Sequence, residues 1–263
     1  MITLSNIDLA IAAFLVAMLA ALSFYMRTGV SRQLLVAAVR TAVQLTLIGL
    51  VLKVLFENTA PGWVALMSLV MLLAAGREVM ARQERPFSGW QGYAVGTFSM
   101  FLSSFAVTIF ALIVILGDTP WYSPQYAIPL LGMLLGNTMS GIAIAMDRLT
   151  QSAWEQRDTI EARLMLGERW DVAIQTYRRQ AVRSGLIPII NAMAAAGIVS
   201  LPGMMTGQIL AGAPPVEAVK YQILIMFLIS AGTGLGTLAA VSIGSRRLFD
   251  SRERLCLGRL KAP

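Results

Sequence analysis

Histidine is absent from the 263 residues, and cysteine occurs once, as Cys256 in a basic C-terminal segment. The first absence removes the commonest metal ligand and the usual proton shuttle near neutral pH. The second excludes an intrachain disulfide, so cysteine usage sets no redox compartment. Acidic residues number only 14, nearly all of them between apolar blocks. Two patterns are also missing: a G-x-x-x-x-G-K-[ST] loop to cradle nucleotide phosphates and an H-E-x-x-H metalloprotease helix. The chain therefore has no P-loop route to ATP hydrolysis of its own, no cofactor is expected, and chemistry on a substrate is not expected.

What the sequence has in quantity is apolar surface: 57% of residues are hydrophobic and 13% charged, against an apolar share of roughly 45–50% in soluble domains. The apolar residues run in blocks of about 20 with hardly a charge inside, which is the length of a membrane-spanning helix. Seven such blocks are predicted, at Ile7–Met26, Leu34–Val54, Trp63–Met80, Ala94–Leu116, Tyr126–Met146, Leu186–Leu210 and Tyr221–Ile243. The third is the weakest, because its clean apolar part, Trp63–Gly76, is only 14 residues. The first has no basic leader and carries Asp8 at its entrance, so it reads as a retained span and not a signal peptide.

Charge placement orients the spans. With the N-terminus outside, segments 27–33, 77–93, 147–185 and the tail from Gly244 are cytoplasmic and hold 18 of the 21 Lys and Arg. The outer loops hold only Lys53 and Lys220, as the positive-inside rule requires. Backbone groups in lipid must be satisfied within the segment, so the spans are helices. The expected fold is all-α: one polytopic domain over 1–263, seven transmembrane helices, N-terminus outside, C-terminus cytoplasmic. The net charge of +7 lies scattered between apolar blocks without interleaved aromatics, which argues against a nucleic-acid partner and leaves the lipid bilayer as the main one.

Within the spans, glycines four apart occur at Gly132/Gly136, Gly203/Gly207 and Gly232/Gly236. Such pairs let another backbone come close, either within the chain or at a subunit interface. Asn137, Thr138 and Ser140 lie mid-span in the fifth block; Asn191, Ser200, Pro202 and Gly203 interrupt the sixth. Pro202 removes an intrahelical hydrogen bond, so Leu201–Gly207 is predicted to be a kink or a broken helix, the best candidate for a substrate pathway. Met204 and Met205 are thioethers of the kind that bind soft cations, yet among 15 methionines packing is the plainer role. Arg40, one turn from Gln44, lies close enough to the cytoplasmic face to snorkel.

The stretch Asp147–Gly185 reads as two helices, Gln151–Leu166 and Arg169–Ser184, separated by Gly167. Trp170, Ile174, Tyr177 and Ala181 form an apolar stripe on the second. The hairpin is either a docking surface for another protein or an amphipathic pair lying on the membrane.

The strings Ile128–Ile142 (IPLLGMLLGNTMSGI), Glu161–Gly167 (EARLMLG) and Leu186–Gly212 (LIPIINAMAAAGIVSLPGMMTGQILAG) resemble the FetB-type permease family, the membrane subunit of a bacterial iron-export ABC transporter. Plant relatives of that family are linked to aluminium tolerance. Glu161, Ala162 and Gly167 are also similar to the E-A-A-x-x-x-G loop by which importer permeases dock on their ATPases, with Arg163 departing at the third position. The resemblance implies a multi-pass permease of the bacterial inner membrane. It implies two copies working with two ABC-type ATP-binding subunits to export iron or another metal. Glu161, Ala162, Gly167 and Trp170 would couple to the ATPase, and Asn137, Asn191, Pro202, Met204, Met205 and Gln208 would lie near the pathway; the metal ligands are unknown. The competing reading is a secondary transporter or channel without an ATPase. A retinal-type seven-helix receptor would want a lysine deep in the last span, where there is only Lys220 at the entrance.

Overall fold

The computed structural model describes residues 5–57, 60–117 and 120–261. The chain is largely helical, and among the described residues β pairing is confined to isolated bridges. Among the described residues, six helices are long and apolar enough to cross a membrane: Ile7–Tyr25, Ser31–Leu52, Pro61–Ala81, Gly92–Ile115, Pro124–Glu155 and Pro215–Arg247. Contacts divide the chain into two units, Met1–Thr59 and Ala60–Pro263.

The first unit is a helical hairpin, α1 (Asn6–Tyr25) and α2 (Ser31–Glu57). A capping box starts α1: Asp8 N–H donates to Ser5 Oγ at 3.3 Å, and Ser5 N–H to Asp8 Oδ2 at 2.8 Å. Arg27, at φ 53, turns the chain, and the hydroxyls of Ser23 and Thr28 meet at 2.6 Å across the turn. Arg40 and Gln44 are exposed on α2.

The second unit begins with α3 (Pro61–Ala81), 21 residues with proline in its first turn, so the segment that looked short in sequence is a full-length helix. The next span is not uniform. It runs α4 (Trp90–Met100), a π-helical stretch Phe101–Phe105, α5 (Ala106–Phe110) and a second π stretch Ala111–Leu116, ending at Gly117 with φ 58. Each π turn shifts the helical face, and here the shift keeps Ser103, Ser104 and Thr108 inside the bundle. Ser104 Oγ donates to Thr138 Oγ1 at 3.4 Å, tying this span to the next.

That next helix, α6 (Pro124–Glu155), is the centre of the bundle and packs on α3, α9 (Gln175–Ala195) and α11 (Pro215–Arg247). Small residues permit the close approach. A Cβ on Gly185 of α9 would stand 2.5 Å from Gly141 O of α6; one on Gly236 of α11 would stand 2.6 Å from Thr138 Cγ2. At 32 and 33 residues, α6 and α11 are each about 50 Å long at 1.5 Å per residue, well beyond a 30 Å hydrocarbon core. Both therefore project past the membrane and carry α7 (Arg157–Met165), α8 (Trp170–Ala173) and the C-terminal tail.

Three expectations need correction. The helix expected over Arg169–Ser184 is divided at Ile174, between α8 and α9, and α9 continues past Ser184 to Ala195. The predicted span Leu186–Leu210 is not one helix: α9 ends at Ala195, residues 196–202 are non-helical, and α10 (Gly203–Leu210) follows. The break begins upstream of the expected Leu201–Gly207 and overlaps it only at Leu201 and Pro202. Gly197, at φ 82, stops α9, and the amides of Ile198, Val199 and Ser200 all converge on Ala195 O at 3.0–3.3 Å. Pro202 holds Leu201 out of the helical region and stands at the N-cap of α10, not inside a helix. The helix expected over Gln151–Leu166 is also divided, because α6 continues to Glu155 and α7 starts only at Arg157. Nothing in 147–155 breaks a helix, so α6 runs on.

Candidate functional site

Two regions hold the residues singled out in the sequence. The first is the end of the bundle that carries the arginine-rich segments. There α7 and α8 form a hairpin around Gly167, whose φ of 89 is left-handed. Arg163 closes it: its side chain donates to Ala173 O at 3.1 Å and pairs with Glu168 at 2.7 Å. Glu161, Ala162 and Gly167 are exposed, and Met165 and Leu166, at 82% and 85% exposure, form an apolar tip. The stripe of the following segment is spent internally: Ile174 and Ala181 are fully buried in the unit's own core.

Trp170 turns away from the tip and onto the C-terminal tail. Its ring packs on Phe249 at 5.7 Å, Arg246 stacks over it at 5.0 Å, and its backbone N–H donates to Glu253 Oε2 at 3.1 Å. The tail then reaches the α3–α4 connection. Lys261 N–H donates to Pro86 O at 2.9 Å, Ser88 N–H donates to Arg259 O at 2.7 Å, and Phe87 and Leu260 are buried together. That connection also touches α6, where Arg85 sits 4.2 Å over the Trp154 ring and Glu84 N–H donates to Asp147 Oδ1 at 2.7 Å. Within the tail, Asp250 accepts backbone N–H groups from Arg254 and Arg252 and pairs with the Arg254 guanidinium at 2.8 Å. The Arg254 amide is the main influence holding its carboxyl below the usual 3.8. Sequence reading missed this tail, and its one signal was Trp154 and Trp170 standing among arginines.

The second region is the interior of the bundle. Asn137 and Asn191 are exposed on α6 and α9. Met204 and Gln208, on α10, line a cleft of about 260 Å³ with Met133, Gln125, Tyr126 and Tyr221. Met205 is buried and does not line it, and Pro202 is half-buried at the break. The structure thus brings Met204 and Gln208 together, whereas Asn137, one turn from Met133 on α6, and Asn191 do not line the cleft. Gln208 Oε1 is buried without a hydrogen-bond partner. Of the glycine pairs, Gly232 and Gly236 lie against Leu134 and Thr138, and Gly132 meets Met71, whereas Gly136, Gly203 and Gly207 have open space where a Cβ would go. No group of three or more acidic or cysteine side chains able to hold a metal occurs among the described residues.

The sequence matches the UPF0014 family, described as an uncharacterised protein family, over residues 6–249. The chain belongs to that family. It is 41% identical over 228 residues, 85% of each chain, to the UPF0014 membrane protein slr1647 of Synechocystis sp.. It is 30% identical over 263 residues to the "probable iron export permease protein FetB" of Escherichia coli, covering 98% of this chain and 97% of that one. Protein ALUMINUM SENSITIVE 3 of Arabidopsis thaliana is 32% identical over 232 residues, 88% of this chain and 82% of that one. No solved structure matches. The chain is a multi-pass membrane protein of this family, and the bacterial and plant relatives match it over most of their length.

Proposed function

We propose that the chain is the membrane-spanning permease subunit of an ABC transporter of the bacterial inner membrane. It would export iron or another metal with ATP hydrolysed by a separate subunit. In this reading it crosses the bilayer seven times, α9 and α10 together forming the sixth crossing, with the N-terminus outside, the C-terminus inside and residues 1–263 acting as one permease domain. Two copies would work with two ATP-binding subunits. The observation that carries the reading is the α7–α8 hairpin: a rigid, stapled projection with an exposed apolar tip, on the side of the bundle that holds the arginines. Closure of the ATPase pair would pull on this hairpin, and the motion would reach the break between α9 and α10 through α9, which continues directly from α8. A coupled element needs different contacts in two states, and a broken helix supplies a place to change them.

The test is to replace Glu161 and Gly167 together and to measure ATP hydrolysis and metal export in reconstituted complex. Uncoupling, with ATP hydrolysis no longer driving export, is expected; unchanged export would remove the docking role. A secondary transporter or channel is the second reading, favoured by the discontinuous α9–α10 span, a feature of ion-coupled carriers. Purification of a functional chain with no ATP-binding subunit would select it.

A further inference from the structure

We infer that the cleft between α6, α10 and α11 is a binding site for a soft monovalent metal cation, of the Cu(I) and Ag(I) class. Its ligands are the thioethers of Met133 and Met204 and the side-chain oxygen of Gln208.

The walls of the cleft are set by helical spacing. Gln125, Pro129 and Met133 stand four apart on α6, and Met204 and Gln208 stand four apart on α10, so each helix turns one side to the same space. Met133 and Met204 also pack on one cluster, Ile189, Ile225 and Ile229, which brings two thioether side chains from separate helices to one place. Gln125 and Tyr221 lie in the first two turns of α6 and α11, remote from the α7–α8 hairpin, and are exposed. Met133, Met204 and Gln208 are half-buried. The cleft thus has an open rim at the far end of the bundle and a sheltered part that holds the sulfurs.

The sheltered part is rich in lone pairs that lack partners. Gln208 Oε1 is buried without a hydrogen-bond partner, which costs the desolvation of an acceptor with nothing in return. Pro129, inside α6, has no N–H to give to the main-chain carbonyl of Gln125, so a second oxygen loses its usual donor. The rings of Tyr126 and Tyr221 add electron-rich faces. Packing alone accounts for the carbons of the two methionines and leaves the orphan oxygen beside them unexplained. A cation accounts for both.

The charge of that cation follows from what surrounds it. No Asp, Glu, Lys or Arg lies between Pro124 and Met146 or between Gly185 and Pro215. Glu217, one turn before Tyr221 on α11, is already paired with Lys220 at 2.7 Å. The ligand set is therefore neutral. The cost of stripping water from an ion grows with the square of its charge, so neutral groups compensate a single charge far better than two or three. Hard ions are also held by carboxylates, and the borderline ones by imidazole, both of which the cleft lacks. Thioethers select Cu(I), and Ag(I) is its redox-stable analogue. This inference rests on the permease reading and narrows its metal to the soft, singly charged class.

The experiment titrates Ag(I) into the full chain in detergent, with Cys256→Ser removing the thiol, against a weak competing thioether ligand. Fifteen methionines supply a background, so the signal is a difference between variants. Met133→Leu and Met204→Leu should each weaken the tightest site about tenfold or more, whereas Met71→Leu and Met165→Leu, outside the cleft, should leave it unchanged. Leucine conserves the volume of methionine, so the fold should tolerate these changes. Gln208→Met supplies a third thioether and should tighten Ag(I) binding, a gain that a misfolded chain cannot give. Fe(II) in equal amount should not displace the silver. Equal retention by the parent and the Met133→Leu/Met204→Leu double variant would overturn the inference, as would displacement by Fe(II). Should the leucine variants fail to accumulate, unchanged or weaker binding in Gln208→Met would overturn it. Silver held by the cleft of a chain that exports no metal with ATP would refute the permease reading and leave the site standing. ATP-driven iron export by a double variant that binds silver as the parent does would remove the site and leave that reading.

Discussion

The two halves of α9 differ in what they pack against. At Gly185 the helix is pressed against α6 and α11, with Gly141 O, Ala145 and Thr237 all within 3.0 Å of where a Cβ would sit. Its N-terminal continuation is braced further by α8, Trp170 and the tail. Ten residues later the same helix stops at Ala195, and Ile198 and Val199 stand 88% and 83% exposed. The first half is clamped by close backbone approach, whereas the second still packs on α11 through Ile189 and Met193 but leads into an exposed, non-helical segment.

The comparison breaks most visibly if the clamped half is overfilled. Gly185→Val puts branched carbon against the Gly141 carbonyl, a backbone atom that cannot swing aside, so the cost lies at or above the upper end of the 1–3 kcal/mol usual for overpacking. The midpoint of thermal unfolding in detergent should fall by several degrees, or the protein should fail to accumulate. Gly136→Ala on the neighbouring helix, where nothing lies within 4 Å, should leave the midpoint unchanged. Equal effects at the two glycines would mean that the close crossing of α6 and α9 does not hold the bundle together.

The sequence displayed one half of this contrast better than the other. Apolar blocks expose the spans, because hydrocarbon acts on composition alone. The break at 196–202 was displaced in the reading because Gly197, Ile198 and Val199 are all apolar, and a left-handed glycine leaves no mark in hydropathy. Proline does leave one, so Pro202 drew attention to the wrong side of the break. The close glycines Gly141 and Gly185 escaped for a different reason. They lie on separate helices, and spacing within one helix cannot reveal a partner on another. The tail was unreadable because its hydrogen bonds join short irregular segments far apart in the chain, such as Pro86 with Lys261.

The second half is sharpened by Gly197→Ala. Gly197 holds φ at 82 with open space around its α-carbon, so the change meets no neighbour and acts only through the backbone. Holding alanine in the left-handed region costs roughly 1–2 kcal/mol. The loss should appear as altered transport or altered protease sensitivity at 196–202, with a thermal shift well below that of Gly185→Val. A large loss of global stability would instead show that the break is part of the clamped region.

The smallest effect belongs to the tail that braces the clamped half. Asp250 gathers the amides of Arg252 and Arg254 and the Arg254 guanidinium, and these hold its carboxyl below 3.8 in the folded chain. A folded value below the unfolded one means that the carboxylate stabilises the tail's fold at pH above about 4 and that this help disappears as pH falls through the lowered value. Asp250 is a surface group, so the loss should be confined to the tail, read as faster tryptic cleavage after Arg252 and Arg254 in Asp250→Asn at pH 7. Cleavage of the variant as slow as that of the parent would show that Trp170, Phe249 and the Pro86–Lys261 contact hold the tail without it.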